Sequence, residues 1–142
     1  MPEFRYARGR IADSIRFISE ELKEFNDEYV GRTRVEYQGD RKLQKLIDRT
    51  VENILTALIE ICGTFLAEQG GAADSYAEAL KACAGQLGFP PSEQEQLAAL
   101  AMIRNRLAHR YLNFRWQAIE DFSKKRGLVT RVVSEILQKI DH

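Results

Sequence analysis

The apolar positions of this chain fall at helical spacings almost throughout. Ile11, Ile15, Ile18, Leu22, Phe25 and Tyr29 recur at intervals of four and three residues, with Arg16, Glu20, Glu24 and Asp27 opposite them. That pattern predicts an amphipathic helix from about Arg8 to Tyr29. A polar linker follows, Gly31 to Gly39. Asp40 is a candidate N-cap for a helix from Arg41 to Glu68, which Gly70 and Gly71 end. Leu43, Leu46, Ile47, Thr50, Ile54, Leu58, Ile61, Cys62 and Phe65 form its stripe. Val51, Leu55, Ile59 and Leu66 make its other faces apolar too, so this helix should be central in a bundle or part of an interface.

The third predicted helix starts at an Asp74 cap, turns Tyr76, Ala79, Leu80, Cys83 and Leu87 inward, and stops at Gly88. Phe89-Pro90-Pro91 reads as a rigid turn. Ser92 and Glu95 form a capping-box pattern opening a fourth helix with Leu97, Leu100, Ala101, Ile103, Leu107 and Ala108. Asn113 can cap a fifth helix holding Phe114, Trp116, Ile119 and Phe122. Lys124-Lys125-Arg126-Gly127 reads as a kink or break before Leu128, Val132, Ile136 and Ile140 continue the repeat. No strand alternation, internal repeat or low-complexity tract is present. The expected architecture is one all-α domain over residues 1–142, an up-and-down bundle of four to five helices.

Composition narrows the function classes. The 142 residues carry 21 basic and 21 acidic side chains, for a formal net charge of zero. Nucleic-acid binding by bulk charge is therefore excluded, and any such contact has to be local. Cys62 and Cys83 sit in apolar helical stretches without metal-ligand spacing and read as buried thiols in a reducing compartment. No apolar run looks long enough to cross a membrane, and the N-terminal residues lack the apolar core of a signal peptide. The expected location is the cytoplasm.

One stretch breaks the pattern: Arg104-Asn105-Arg106-Leu107-Ala108-His109-Arg110-Tyr111. The interval from Arg104 to Arg115 has four arginines, one histidine and no acidic residue. At about 100° per residue, Leu97, Leu100, Ala101, Ile103, Leu107, Ala108 and Tyr111 form one apolar arc, and Arg104 falls near its centre. A guanidinium there needs an anion or a polar cavity. His109 lies about 140° further round the wheel, whereas Asn105 and His109 share a face. Either the helix ends or bends near His109, or two copies of the chain meet and complete each other's site. An arginine that grips a phosphate and a histidine that moves a proton suit RNA cleavage without a metal. Arg106, Arg110 and Arg115 could hold neighbouring phosphates. The plain alternatives are a helix-end histidine, a solvated arginine face and a core-edge Tyr111.

The Arg104-x4-His109-x-Tyr111 pattern, with Asn105 after the arginine, resembles the signature of the HEPN superfamily and, more narrowly, the HepT-type toxins. The resemblance extends over most of the chain: a long first helix, a second beginning Arg41-x-x-Gln44, a short helix before the Pro turn, and the motif helix with a final amphipathic segment. It implies a metal-independent endoribonuclease of a type VII-like toxin–antitoxin pair, with no metal or cofactor, active as a homodimer whose cleft holds the motif residues. By position, Arg104 would polarise the scissile phosphate, His109 would act as acid or base, and Asn105 would assist. The implied partner is a minimal nucleotidyltransferase antitoxin that silences the toxin by attaching AMP to Tyr111. Some superfamily members instead act as non-catalytic nucleotide- or partner-binding subunits, which is the competing expectation. The first helix and the Arg32–Gln38 linker look longer than the smallest family members need.

Overall fold

The computed structural model describes residues 2–109 and 115–140, with side chains from residue 10 onward. Six α-helices occur among them and no strand: α1 (Pro2–Glu24), α2 (Arg34–Gly39), α3 (Arg41–Glu68), α4 (Tyr76–Gln86), α5 (Pro91–Ala108) and α6 (Arg115–Ile140). The described residues form an all-α bundle, the fold class that the spacing predicts.

The seam of α1 is buried as its spacing requires, from Ile11 to Leu22. The periodicity then runs on through a π-helical turn, Phe25–Tyr29, closed by the Val30 N–H donating to the Phe25 carbonyl at 2.9 Å. Such wide turns are uncommon. This one keeps both Phe25 and Tyr29 inside, where Phe25 meets Phe122 of α6 edge-on at 5.1 Å. Phe122 in turn is fully buried.

The Gly31–Gly39 linker is not all loop. Thr33 accepts from the Glu36 N–H at 3.2 Å, and the Glu36 carboxylate accepts from the Thr33 N–H at 3.1 Å. This capping box starts the short α2. Asp40 caps α3 as expected, accepting from the Leu43 N–H at 3.1 Å. Helix α3 touches every other helix, which explains its two apolar faces. Its length and composition do reach those of a bilayer-crossing helix, unlike the reading of the sequence, and the surrounding bundle takes up most of that apolar surface. Leu46 is the exception in its expected stripe and is exposed. Gly70 has a φ of 82°, the left-handed backbone that ends α3.

Two caps differ from expectation. Ser75, rather than Asp74, caps α4 by accepting from the Glu78 N–H, while the Asp74 N–H donates back to Glu78. Tyr76, expected inside, opens that helix and is 51% exposed. Helix α5 begins at Pro91 without a side-chain cap, so Ser92 and Glu95 lie inside it. Proline at the first helical position has its φ already set and lacks an N–H that would go unpaired there, so the start moves forward.

Helix α6 runs unbroken through Lys124–Gly127. Arg126 bridges that weak point. Its Nη1 donates to Asn26 in the π turn at 2.7 Å, and its Nε donates to the Ser123 carbonyl at 2.8 Å. Buried Leu128 and Val129 then hold the helix against the core. The expected cap Asn113 lies outside the described residues.

Candidate functional site: the end of the fifth helix

Helix α5 packs against α3, α4 and α6, carries Arg104, Asn105 and Arg106 near its end, and stops at Ala108. Leu97, Leu100, Ala101, Ile103 and Leu107 are buried, as the wheel requires. His109 is the C-cap, with φ −91° and ψ 2°, and its N–H donates to the Asn105 carbonyl at 3.0 Å. The helix therefore ends where the wheel left two possibilities open, and the exposed imidazole stands at its terminus.

Arg104 is half-buried among the apolar positions. Its Nε donates to Thr56 Oγ1 of α3 at 3.5 Å, and its Nη1 to Asn105 Oδ1 at 3.5 Å. The guanidinium lies 5.5 Å from the centre of the Tyr76 ring. Both hydrogen bonds are long. Among the described residues no carboxylate comes within ion-pair distance of it. It opens instead on a cleft of about 550 Å³ between α1 and α3, whose walls include Phe17, Asn53, Thr56 and Ala57, with Asp13, Glu52 and Glu60 further along. A cation in an apolar arc, held by long bonds beside an open cleft, retains most of its capacity for a bidentate anion.

The remaining predicted residues divide. Asn105 is exposed and beside Arg104, and Arg106 is half-buried on the same helix. Arg110 and Tyr111 lie outside the described residues. Arg115, expected to hold a phosphate, has a side chain only 12% exposed and pairs through Nη1 with Asp48 Oδ2 at 3.4 Å. The Tyr37 hydroxyl donates to the other Asp48 oxygen at 2.5 Å, and the Tyr37 ring packs on Trp116 at 5.2 Å. Burial pushes the Asp48 carboxyl above its ordinary value, against the lowering by the Tyr37 hydroxyl and the Arg115 guanidinium. Burial first, then the hydrogen bond to Asp48, raises the Tyr37 phenol far enough to keep it a neutral donor. This cluster fastens α2 and α3 to the first residues of α6, and so fixes one end of the segment that follows His109.

Spacing alone could not find Thr56 or Tyr76, the two neighbours that hold Arg104. They come from α3 and α4, 48 and 28 positions earlier in the chain, and neither belongs to a motif.

The model of the family described as ribonuclease HepT-like matches residues 18–139. The chain belongs to that family. A comparison with curated proteins gives no match. As a HepT-like chain it falls among HEPN ribonuclease toxins in general. The match covers α3, α4 and α5 whole and nearly all of α6, and leaves residues 2–17 of α1 ahead of it.

Proposed function

We propose that this HepT-like chain is a metal-independent endoribonuclease toxin that cleaves cytoplasmic RNA in the cleft of a homodimer. The observation that carries this reading is Arg104: a half-buried guanidinium with no carboxylate partner among the described residues, facing an open cleft five residues before the exposed His109.

Arg104 binds the scissile phosphate and stabilises the charge that grows on it. His109 removes the 2′-OH proton. The O2′ then attacks phosphorus, the bond to O5′ breaks, and water returns a proton to the leaving oxygen, the hydroxide left behind taking the proton from the His109 imidazolium. The products are a 2′,3′-cyclic phosphate and a 5′-hydroxyl. Asn105 steadies the Arg104 guanidinium. Arg106 and Arg110 contact neighbouring phosphates, while Arg115, already paired with Asp48, anchors the start of α6. The antitoxin is a minimal nucleotidyltransferase that moves AMP from ATP to the Tyr111 phenol oxygen, with pyrophosphate leaving. The added phosphate puts negative charge beside the arginines and competes with RNA for them.

The test is cleavage of RNA in EDTA by protein purified free of its partner, with intact mass measured on the same sample. Wild type cleaves, and His109→Ala lowers the rate by about 10²–10⁴-fold. Co-expression with the nucleotidyltransferase adds AMP at Tyr111 and abolishes cleavage. An unmodified protein that binds its partner but never cleaves RNA sinks the ribonuclease reading in favour of a non-catalytic binding subunit.

A further inference from the structure

Beyond Arg104 the cleft widens into a trough of about 1110 Å³, bounded by α1, the second half of α3 and the turn into α4. The two hollows share Asp13, Ser14 and Glu60 as walls. Tyr76, which lies against the Arg104 guanidinium, stands in the larger one. A group bound there is therefore one side chain away from an anion on Arg104. The volume is ample for a nucleobase and its sugar.

Three features define what the trough accepts. Tyr76 is 51% exposed, an aromatic surface left open next to the arginine and suited to stacking on a base. The walls carry the carboxylates of Asp13, Glu60 and Glu68, which can only accept hydrogen bonds, together with the guanidinium of Arg10. Glu68 Oε1 is buried with no hydrogen-bond partner, an acceptor that costs free energy until a donor reaches it. Together they select a flat, uncharged group rich in N–H donors. Guanine alone among the RNA bases places two donors, N1–H and N2–H, side by side on its Watson–Crick edge, matching the two oxygens of a carboxylate. Adenine and cytosine set an acceptor beside their amino group, and uracil flanks its single N–H with two carbonyls.

We infer that this trough is a base subsite selecting guanine at the nucleotide joined to the scissile phosphate, with Tyr76 stacking on the ring and Glu68 reading its donor edge. The inference rests on the ribonuclease reading for its phosphate and goes beyond it in naming the base. The wall carrying Asp13 and Ser14 lies ahead of the span matched by the family model.

The experiment has two arms, both on the full chain without antitoxin. In EDTA, guanosine 5′-monophosphate is titrated by calorimetry, with the inosine and uridine monophosphates as comparisons. Guanosine monophosphate binds best. Inosine monophosphate, lacking the 2-amino group, binds about tenfold more weakly, and so does guanosine monophosphate to Tyr76→Ala or to Glu68→Gln. Tyr76 is exposed, so its variant melts with wild type and the loss is not one of folding. In the second arm, oligoribonucleotides with one guanine are cleaved next to it, and inosine at that position slows cleavage about tenfold. Guanosine monophosphate binding without any RNA cleavage overturns the ribonuclease reading and leaves the subsite standing. Cleavage with no preference for guanine, together with equal binding of all three nucleotides, overturns the subsite alone. Dissociation of a dimer by Tyr76→Ala in sedimentation velocity, with no nucleotide bound, assigns the trough to a second copy of the chain and also overturns it.

Discussion

Arg104 makes a poor core residue and a good ligand for an anion. Its place in the apolar arc could be read from the angular spacing of α5 alone. What spacing could not show is how loosely it is held, by a threonine, an asparagine and an aromatic face rather than by a carboxylate. Replacing it with leucine extends the buried stripe of α5 and removes the desolvation of a charge. Arg104→Leu is therefore expected to raise stability by about 1 kcal/mol in urea denaturation while abolishing RNA cleavage. Stabilisation with full activity would remove Arg104 from the site. Cys62 illustrates the opposite case, a reactive group type made inert. The neighbouring Cys83 sulfur and complete burial push its thiol well above the ordinary value. Both thiols are expected to resist a disulfide reagent in the native protein and to react fully in guanidinium.

At the scale of elements, the long helices were legible because their apolar positions recur at helical spacing, on more than one face in the case of α3. The misreadings fell where local chemistry decides. The Thr33-x-x-Glu36 pattern is a capping box written in the linker, but α2 has too few apolar residues to register as periodic. Gly127 looked like a break, yet Arg126 and the buried residues after it carry α6 across. The cluster of Tyr37, Asp48 and Arg115 could not be foreseen, since it joins three helices whose packing no spacing encodes. It gives two predictions. Arg115→Ala leaves the Asp48 carboxylate largely buried without its cation and is expected to cost about 3 kcal/mol in urea denaturation. The second concerns pH. The Asp48 carboxyl lies above its ordinary 3.8 in the folded chain, so folding favours its protonated form. That contribution is complete below 3.8 and is lost as pH rises through the folded value. Asp48→Asn removes the titration, so its stability relative to wild type is expected to improve between pH 3.5 and pH 7. A constant difference across that range would show that Asp48 titrates alike in both states.

At the scale of the whole molecule, one chain does not bring its arginine and histidine to one point by helix geometry. Arg104 turns toward α3 and Tyr76, while His109 caps the exposed end of α5, about 140° away around the axis. The ending of α5 at Ala108 frees the imidazole from the wheel but does not turn Arg104 toward it. In the proposed homodimer, a two-fold axis beside the end of α5 would present one copy's arginine to the other's histidine. Subunit mixing can detect that arrangement. Arg104→Ala and His109→Ala homodimers are each expected to be inactive. Unfolded together in equal amounts and refolded, half the dimers are mixed. In each mixed dimer one cleft half carries both substitutions and the other carries neither. Cleavage in EDTA is then expected to return to about a quarter of the wild-type rate. If each site were built within one chain, every site in the mixture would still lack one residue and no activity would return. Restored cleavage therefore requires that the arginine and histidine of a working site come from different copies.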